Sequence, residues 1–80
     1  MMYRGRLDRF RAIVYETGFA GQWHDFGDLQ QFHVVNGAIL NWWMKTGAIY
    51  FQGDYLSAIE FEIAFWERRR SHRRRGRRAK

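Results

Sequence analysis

The chain of 80 residues contains no cysteine, so no disulfide is available to a domain that, at this length, buries only about 60% of the surface its unfolded form exposes. It also has no apolar run of the ~18 residues that a membrane-spanning helix needs. Its first residues, MMYRGRLDRFR, lack the apolar stretch of a signal peptide. A cytoplasmic protein with no membrane partner is the expectation. No Ser/His/Asp or Cys/His set, phosphate-cradling glycine loop or paired carboxylates stands out, so neither an enzymatic activity nor a cofactor or metal is expected. Acidic residues are absent after Glu67, where eight arginines and Lys80 follow.

That last absence divides the charge. The formal net charge is +6, but residues 68–80 alone carry +9, which leaves five basic and eight acidic side chains, net −3, in residues 1–67. The expected organisation is one small domain over residues 1–67 and a basic arginine-rich tail over residues 68–80. Blocks of like charge repel themselves and stay disordered until an anionic partner arrives.

What is abundant is aromatic. Four tryptophans, seven phenylalanines and four tyrosines make 19% of the chain, and each ring can bury about 150 to 250 Å². A core of this size cannot enclose them all, so some rings should face solvent or an interface.

The centre of the chain is residues 31–53, QFHVVNGAILNWWMKTGAIYFQG, where three strand-like runs are separated by two turn signals. Asn36-Gly37 suits a two-residue type I′ turn, and Lys45-Thr46-Gly47 a three-residue loop with Gly47 left-handed. Pairing Val35 with Ala38 and Met44 with Ala48 then sets the register. One face would carry Phe32, Val34, Ile39, Asn41, Trp43, Ile49 and Phe51 beneath the helices. The open face would carry Gln31, His33, Val35, Leu40, Trp42, Met44, Tyr50 and Gln52.

Before the sheet, Tyr3, Leu7, Phe10 and Val14, with Ile13 and Thr17 beside them, recur at the spacing of an amphipathic helix stopped by Gly18. Arg4, Arg6, Arg9 and Arg11 lie on or near its other face, solvated or turned towards phosphate. Residues 18–30, GFAGQWHDFGDLQ, read as a long loop or a short irregular strand, pinned by Trp23 and Phe26. His24-Asp25 lacks the further convergent ligands that a metal needs.

After the sheet, Asp54 is a favourable N-cap. Residues 55–66 fit either a helix or, from the alternation Ile59-Glu60-Phe61-Glu62-Ile63, a fourth strand; length and capping favour the helix. Its core stripe would be Tyr55, Leu56, Ile59, Ile63 and Trp66. Phe61 and Phe65 then lie far around the axis and are expected to form a protein interface, with the first helix, a second copy or another partner.

The order helix, three antiparallel strands, helix resembles the double-stranded RNA-binding domain and the HicA-type toxins that share its layout. Asn36-Gly37 and Asp54-Tyr55 stand where the RNA-binding domains carry Gly-Pro-x-His and a lysine-rich helix start. His33, in Gln-Phe-His-Val, lacks the Gly-Ser-His setting of the toxin histidine. The likeness therefore implies a fold rather than an activity. The run NGAILNWWMKTGAIYFQG also resembles small phage and prophage proteins with a W-x-x-T-G turn between strands, and its Thr-Gly-Ala-Ile-Tyr-Phe-Gln-Gly portion a strand of the substrate-binding domain of type HIII ribonucleases H. These resemblances imply a phage-type accessory protein with a nucleic-acid or host-protein partner.

The sequence thus points to an α+β fold of order α-β-β-β-α and a binding role. Nucleic acid of either type is the first expected partner, held by Arg68, Arg69, Arg70, Arg73, Arg74, Arg75, Arg77 and Arg78 on phosphates, with Trp42, Tyr50 and His33 as stacking platforms. The alternative is an interaction or inhibitor protein, encoded by a phage, acting on a host enzyme through its aromatic surface. A homodimer is compatible with either.

Overall fold

The computed structural model describes residues 2–78, with side chains described through residue 72. It is α+β, with helix α1 (Leu7–Glu16), strands β1 (Gly21–Phe26), β2 (Leu29–Val34), β3 (Ala38–Trp43) and β4 (Ile49–Gly53), and helix α2 (Tyr55–Arg78). The strands form one antiparallel meander in the order β1-β2-β3-β4. The sheet therefore has four strands rather than the three expected.

The added strand is β1, in the segment read as a loop. Gln22 to Phe26 alternate between the two faces, and Phe26 pairs with Leu29 across a two-residue turn. Gly27 occupies the first central position at φ +83, the geometry of a type II′ hairpin that glycine adopts without strain.

The two later turns are each one residue off the expected pairing. His33 pairs with Ile39 and Trp42 with Ile49, so residues 35–37 and 44–47 make the connections. Gly37 donates its N–H to the Val34 carbonyl at 3.0 Å and takes φ +106, while Asn36 keeps a negative φ. The Asn36-Gly37 pair is thus part of a three-residue loop and not a type I′ turn. Because side chains alternate along a strand, the slip exchanges the faces of β3 and leaves those of β2 and β4 as expected. Ala38, Leu40 and Trp42 are buried, with Phe32, Val34 and Ile49.

Both helices cover that face. Phe10 stacks on Trp42 at 4.1 Å between ring centroids and meets Phe65 at 5.4 Å, and Phe61 packs on Phe32 and Phe51 at 6.0 Å each. Tyr3 closes the cluster from the segment before α1: its carbonyl accepts from the Trp42 indole Nε1 at 2.9 Å, and its N–H donates to the Gly47 carbonyl at 2.7 Å. A cluster of rings, with Ile13, Val14, Val34, Ala38, Leu40 and Ile49 buried beside it, holds the layers together.

α2 begins as the capping residue predicts, with the Ser57 N–H donating to Asp54 Oδ2 at 3.2 Å. Its inward face is the reverse of the expected one. Phe61 and Phe65 are completely buried, whereas Tyr55, Leu56, Ile59 and Ile63 face outward. Phe61 and Phe65 are core residues and not an intermolecular interface; Phe65 meets Phe10 of the first helix, the alternative within the chain that the sequence left open. The helix then continues through Arg68 without a break to Arg78, across the boundary at residue 67 and over the run expected to be disordered.

Candidate nucleic-acid interface

Two surfaces carry the residues singled out in the sequence, and the sheet separates them. On the helix side, Arg68 and Arg70 are exposed, while Arg69 is half-buried with its guanidinium 5.3 Å from the Tyr3 ring and 5.6 Å from the Trp66 ring. Arg69 is thereby anchored to the body by its contact with two aromatic faces. The side chains of Arg73, Arg74, Arg75, Arg77 and Arg78 lie outside the described residues. Among the described residues, no carboxylate forms an ion pair with Arg68, Arg69 or Arg70; Arg6 pairs with Asp8 at 3.4 Å, and His72 Nε2 lies 3.1 Å from Glu16 Oε1. Arg4, Arg6 and Arg9 are exposed near the same layer, and Arg11 lies over the Trp23 ring at 4.8 Å.

The Tyr3 phenol lies among these cations. Burial raises its pKa, and the positive charges of Arg9 and Arg69 oppose that shift.

The other surface is the open face of the sheet. Strand alternation and register place Gln22, His33, Ile39 and Gln52 in one cross-strand row, His24, Gln31, Asn41 and Tyr50 in the next, and Phe26, Leu29 and Trp43 in the third. None of these is a lysine, arginine or carboxylate. His33 and Tyr50 are where the sequence reading puts them, Tyr50 at 58% exposure. Trp42 is not: it is 1% exposed and belongs to the core, so it offers no stacking platform. Its neighbour Trp43 takes the open face instead.

The sequence reading also missed His24 and Phe26, which β1 brings alongside. The His24 and His33 rings lie 4.3 Å apart, and His24 is parallel to Phe26 at 6.4 Å. The Gly27-Asp28 dipeptide, with alternating residues on both sides, was the signal that could have found this strand.

Side-chain amides tie the open face together. Gln31 Nε2 donates to Asn41 Oδ1 at 2.6 Å, Asn41 Nδ2 donates to Gln52 Oε1 at 2.6 Å, and His33 Nε2 lies 3.0 Å from Gln31 Oε1. Asn41 is therefore almost fully buried yet satisfied, as a buried amide must be. The network fixes the rings around it in place.

A second polar relay lies on the helix side of the first hairpin. Gln30, 1% exposed, accepts from Arg11 at 3.2 Å and donates to Asp25 Oδ1 at 2.7 Å, and the Gly27 N–H donates to the same oxygen at 2.8 Å. The Gly27 N–H first, and then Gln30, hold the Asp25 carboxyl below its usual range. Strand alternation sends His24 and Asp25 to opposite faces, so the adjacent pair does not converge. Among the described residues, no three His, Asp or Glu side chains come together as metal ligands. A shallow groove of about 600 Å³ between α1 and β1 is lined by Val14, Tyr15, Phe19, Trp23 and Phe32 and brings no charged side chain into play.

No helix among the described residues is long and apolar enough to cross a membrane. Comparison of the chain with protein-family models, with curated proteins and with solved structures finds no match in any of the three. The element order α-β-β-β-β-α also has one strand more than the layout on which the RNA-binding-domain and HicA likenesses rest.

Proposed function

We infer that this protein is a non-catalytic nucleic-acid-binding accessory protein whose arginine-rich half of α2 lies on phosphates. The observation that carries the reading is the continuation of α2 through residues 68–78, a stretch with eight arginines and no acid. Its first exposed members, Arg68 and Arg70, have no carboxylate partner among the described residues. Arginine binds phosphate in a forked geometry and is not deprotonated at any physiological pH. On a helix the cations are pre-spaced at about 1.5 Å of rise per residue, so less ordering is left for the binding step than in a coil. Arg4, Arg6 and Arg9 add exposed cations beside the same layer.

The test is titration of fluorescent single-stranded and duplex oligonucleotides with the full chain and with a variant in which Arg73, Arg74, Arg75, Arg77 and Arg78 are all replaced by Gln. The expected result is binding by the first and loss of at least tenfold in affinity by the second. Equal affinity for the two proteins contradicts the reading.

A second reading, an interaction or inhibitor protein of phage type, draws on the open sheet face. The strand residues that share that face with Phe26, Trp43 and Tyr50 carry no formal charge, and charge depletion with aromatic enrichment is the composition of a protein interface core. Its residues form a surface separate from the arginines, so substitution of Tyr50 and Phe26 tests it independently.

A further inference from the structure

The outward face of α2 holds a continuous apolar stripe. Tyr55, Leu56, Ile59 and Ile63 are 76%, 72%, 38% and 57% exposed, and at 100° per residue they share one side of the helix. Leaving such side chains in water forgoes the hydrophobic gain that burial would bring. We propose that this stripe pairs with the same stripe of a second copy, in antiparallel orientation, to make a homodimer across two α2 helices. The proposal does not depend on nucleic-acid binding.

Area favours a second copy as the occupant. At these exposures the four side chains present on the order of 500 Å² per copy, and an isologous pair uses the patch twice, reaching the roughly 1,000 Å² that a specific interface needs. Charge decides the orientation. Parallel helices would bring the two eight-arginine segments side by side, whereas antiparallel helices carry them to opposite ends.

With Ile59 of one copy across from Ile63 of the other, Leu56 meets Trp66 of its mate and Asp54 comes level with Arg68. Glu60 flanks the centre close to its own counterpart and weakens the pair. The two arginine segments point away from each other, so the dimer has two basic arms rather than one broad basic surface.

Absence of native cysteine makes the test clean. Ile59→Cys and Ile63→Cys are prepared separately, reduced, mixed and oxidised under native conditions, with circular dichroism confirming that each folds as the wild type does. The expected result is a disulfide-linked dimer in the mixture and little in either variant alone. Crosslinking of each variant with itself contradicts the antiparallel orientation, and no crosslinking in any sample overturns the interface.

Sedimentation equilibrium of the unmodified chain gives the second readout. The expectation is a dimer at micromolar concentrations, weakened at least tenfold by Ile63→Asp and tightened by Glu60→Gln. A monomeric wild type overturns the proposal and leaves the stripe to a different protein, and a dimer that Ile63→Asp does not weaken places self-association elsewhere.

Discussion

The two halves of α2 share one helix axis and differ in almost everything else. From Tyr55 to Glu67 the helix has three glutamates and no lysine or arginine, and it sends Phe61 and Phe65 into the core. In residues 68–78 it has eight arginines and no acid. The inward face of the first half packs on the rings of Phe10, Phe32 and Phe51; in the second, Arg69 rests on Tyr3 and Trp66 while Arg68 and Arg70 are exposed. Under the proposed function, one element serves stability and recognition in succession, with few residues shared between the two tasks. Substitutions in the two halves should therefore have separable effects.

The largest effect belongs to the first half. Phe61→Ser with Phe65→Ser removes two fully buried rings and leaves hydroxyls in an apolar site, and losses of about 3 to 5 kcal/mol for each large-to-small change together rival the whole stability of a domain of this size. Circular dichroism should show an unfolded chain. The five-arginine-to-glutamine variant should melt well above the double-serine one, since it leaves the ring cluster intact. A folded double-serine variant would break the comparison at its root.

Adjacent tryptophans give the next contrast. Trp42→Ala removes the ring stacked on Phe10 and the indole bond to the Tyr3 carbonyl, and should cost about 3 to 5 kcal/mol. Trp43→Ala, on the open face, should cost markedly less in thermal denaturation. Equal losses would mean that β3 faces the other way.

Gly37→Val is expected to cost about 1 to 2 kcal/mol or more, because φ is +106 there and a β-branched residue is strained at positive φ. An unchanged melting curve would remove the left-handed residue from that loop.

The smallest effects are titrations. Because the Asp25 pKa is lowered in the folded state, its contribution to stability is present at neutral pH and lost as pH falls below the ordinary carboxylate value of about 4. The difference in melting temperature between wild type and Asp25→Asn should shrink in acid. For Tyr3 the pKa is raised, chiefly by burial, so its contribution holds below about pH 10 and is lost as pH rises further. Tyr3→Phe should abolish that alkaline loss.

Much of the fold was legible because local signals agreed: Phe10, Ile13 and Val14 at helical spacing, Gly18 as a stop, Asp54 as a cap. The faces were harder. A one-residue difference in loop length reverses a strand, and the composition of the loop at Asn36-Gly37 fits two lengths. In α2 both sides are apolar, so periodicity alone did not choose between the stripe of Tyr55, Leu56, Ile59, Ile63 and Trp66 and the two phenylalanines; the aromatic partners Phe10, Phe19 and Phe32 did, and those come from distant parts of the chain. Of the stacking platforms, Tyr50 and His33 were placed correctly from β4 and β2, and Trp42 was lost to the slip in β3. Buried Gln30 left no mark in the sequence, since its burial depends on Arg11 and Asp25 meeting it from α1 and β1.

The most direct test of nucleic-acid binding by the second half of α2 is the salt dependence of affinity. Each phosphate contact releases counterions and contributes about −0.9 to the slope of log K against log salt on duplex DNA, or about −0.7 on single strands. Five contacts from the arginine segment predict a slope near −4 to −5 for duplex, and a clearly shallower one in the five-glutamine variant, which keeps Arg68, Arg69 and Arg70. A shallow slope in the wild type, or a steep one that survives the five substitutions, would contradict it.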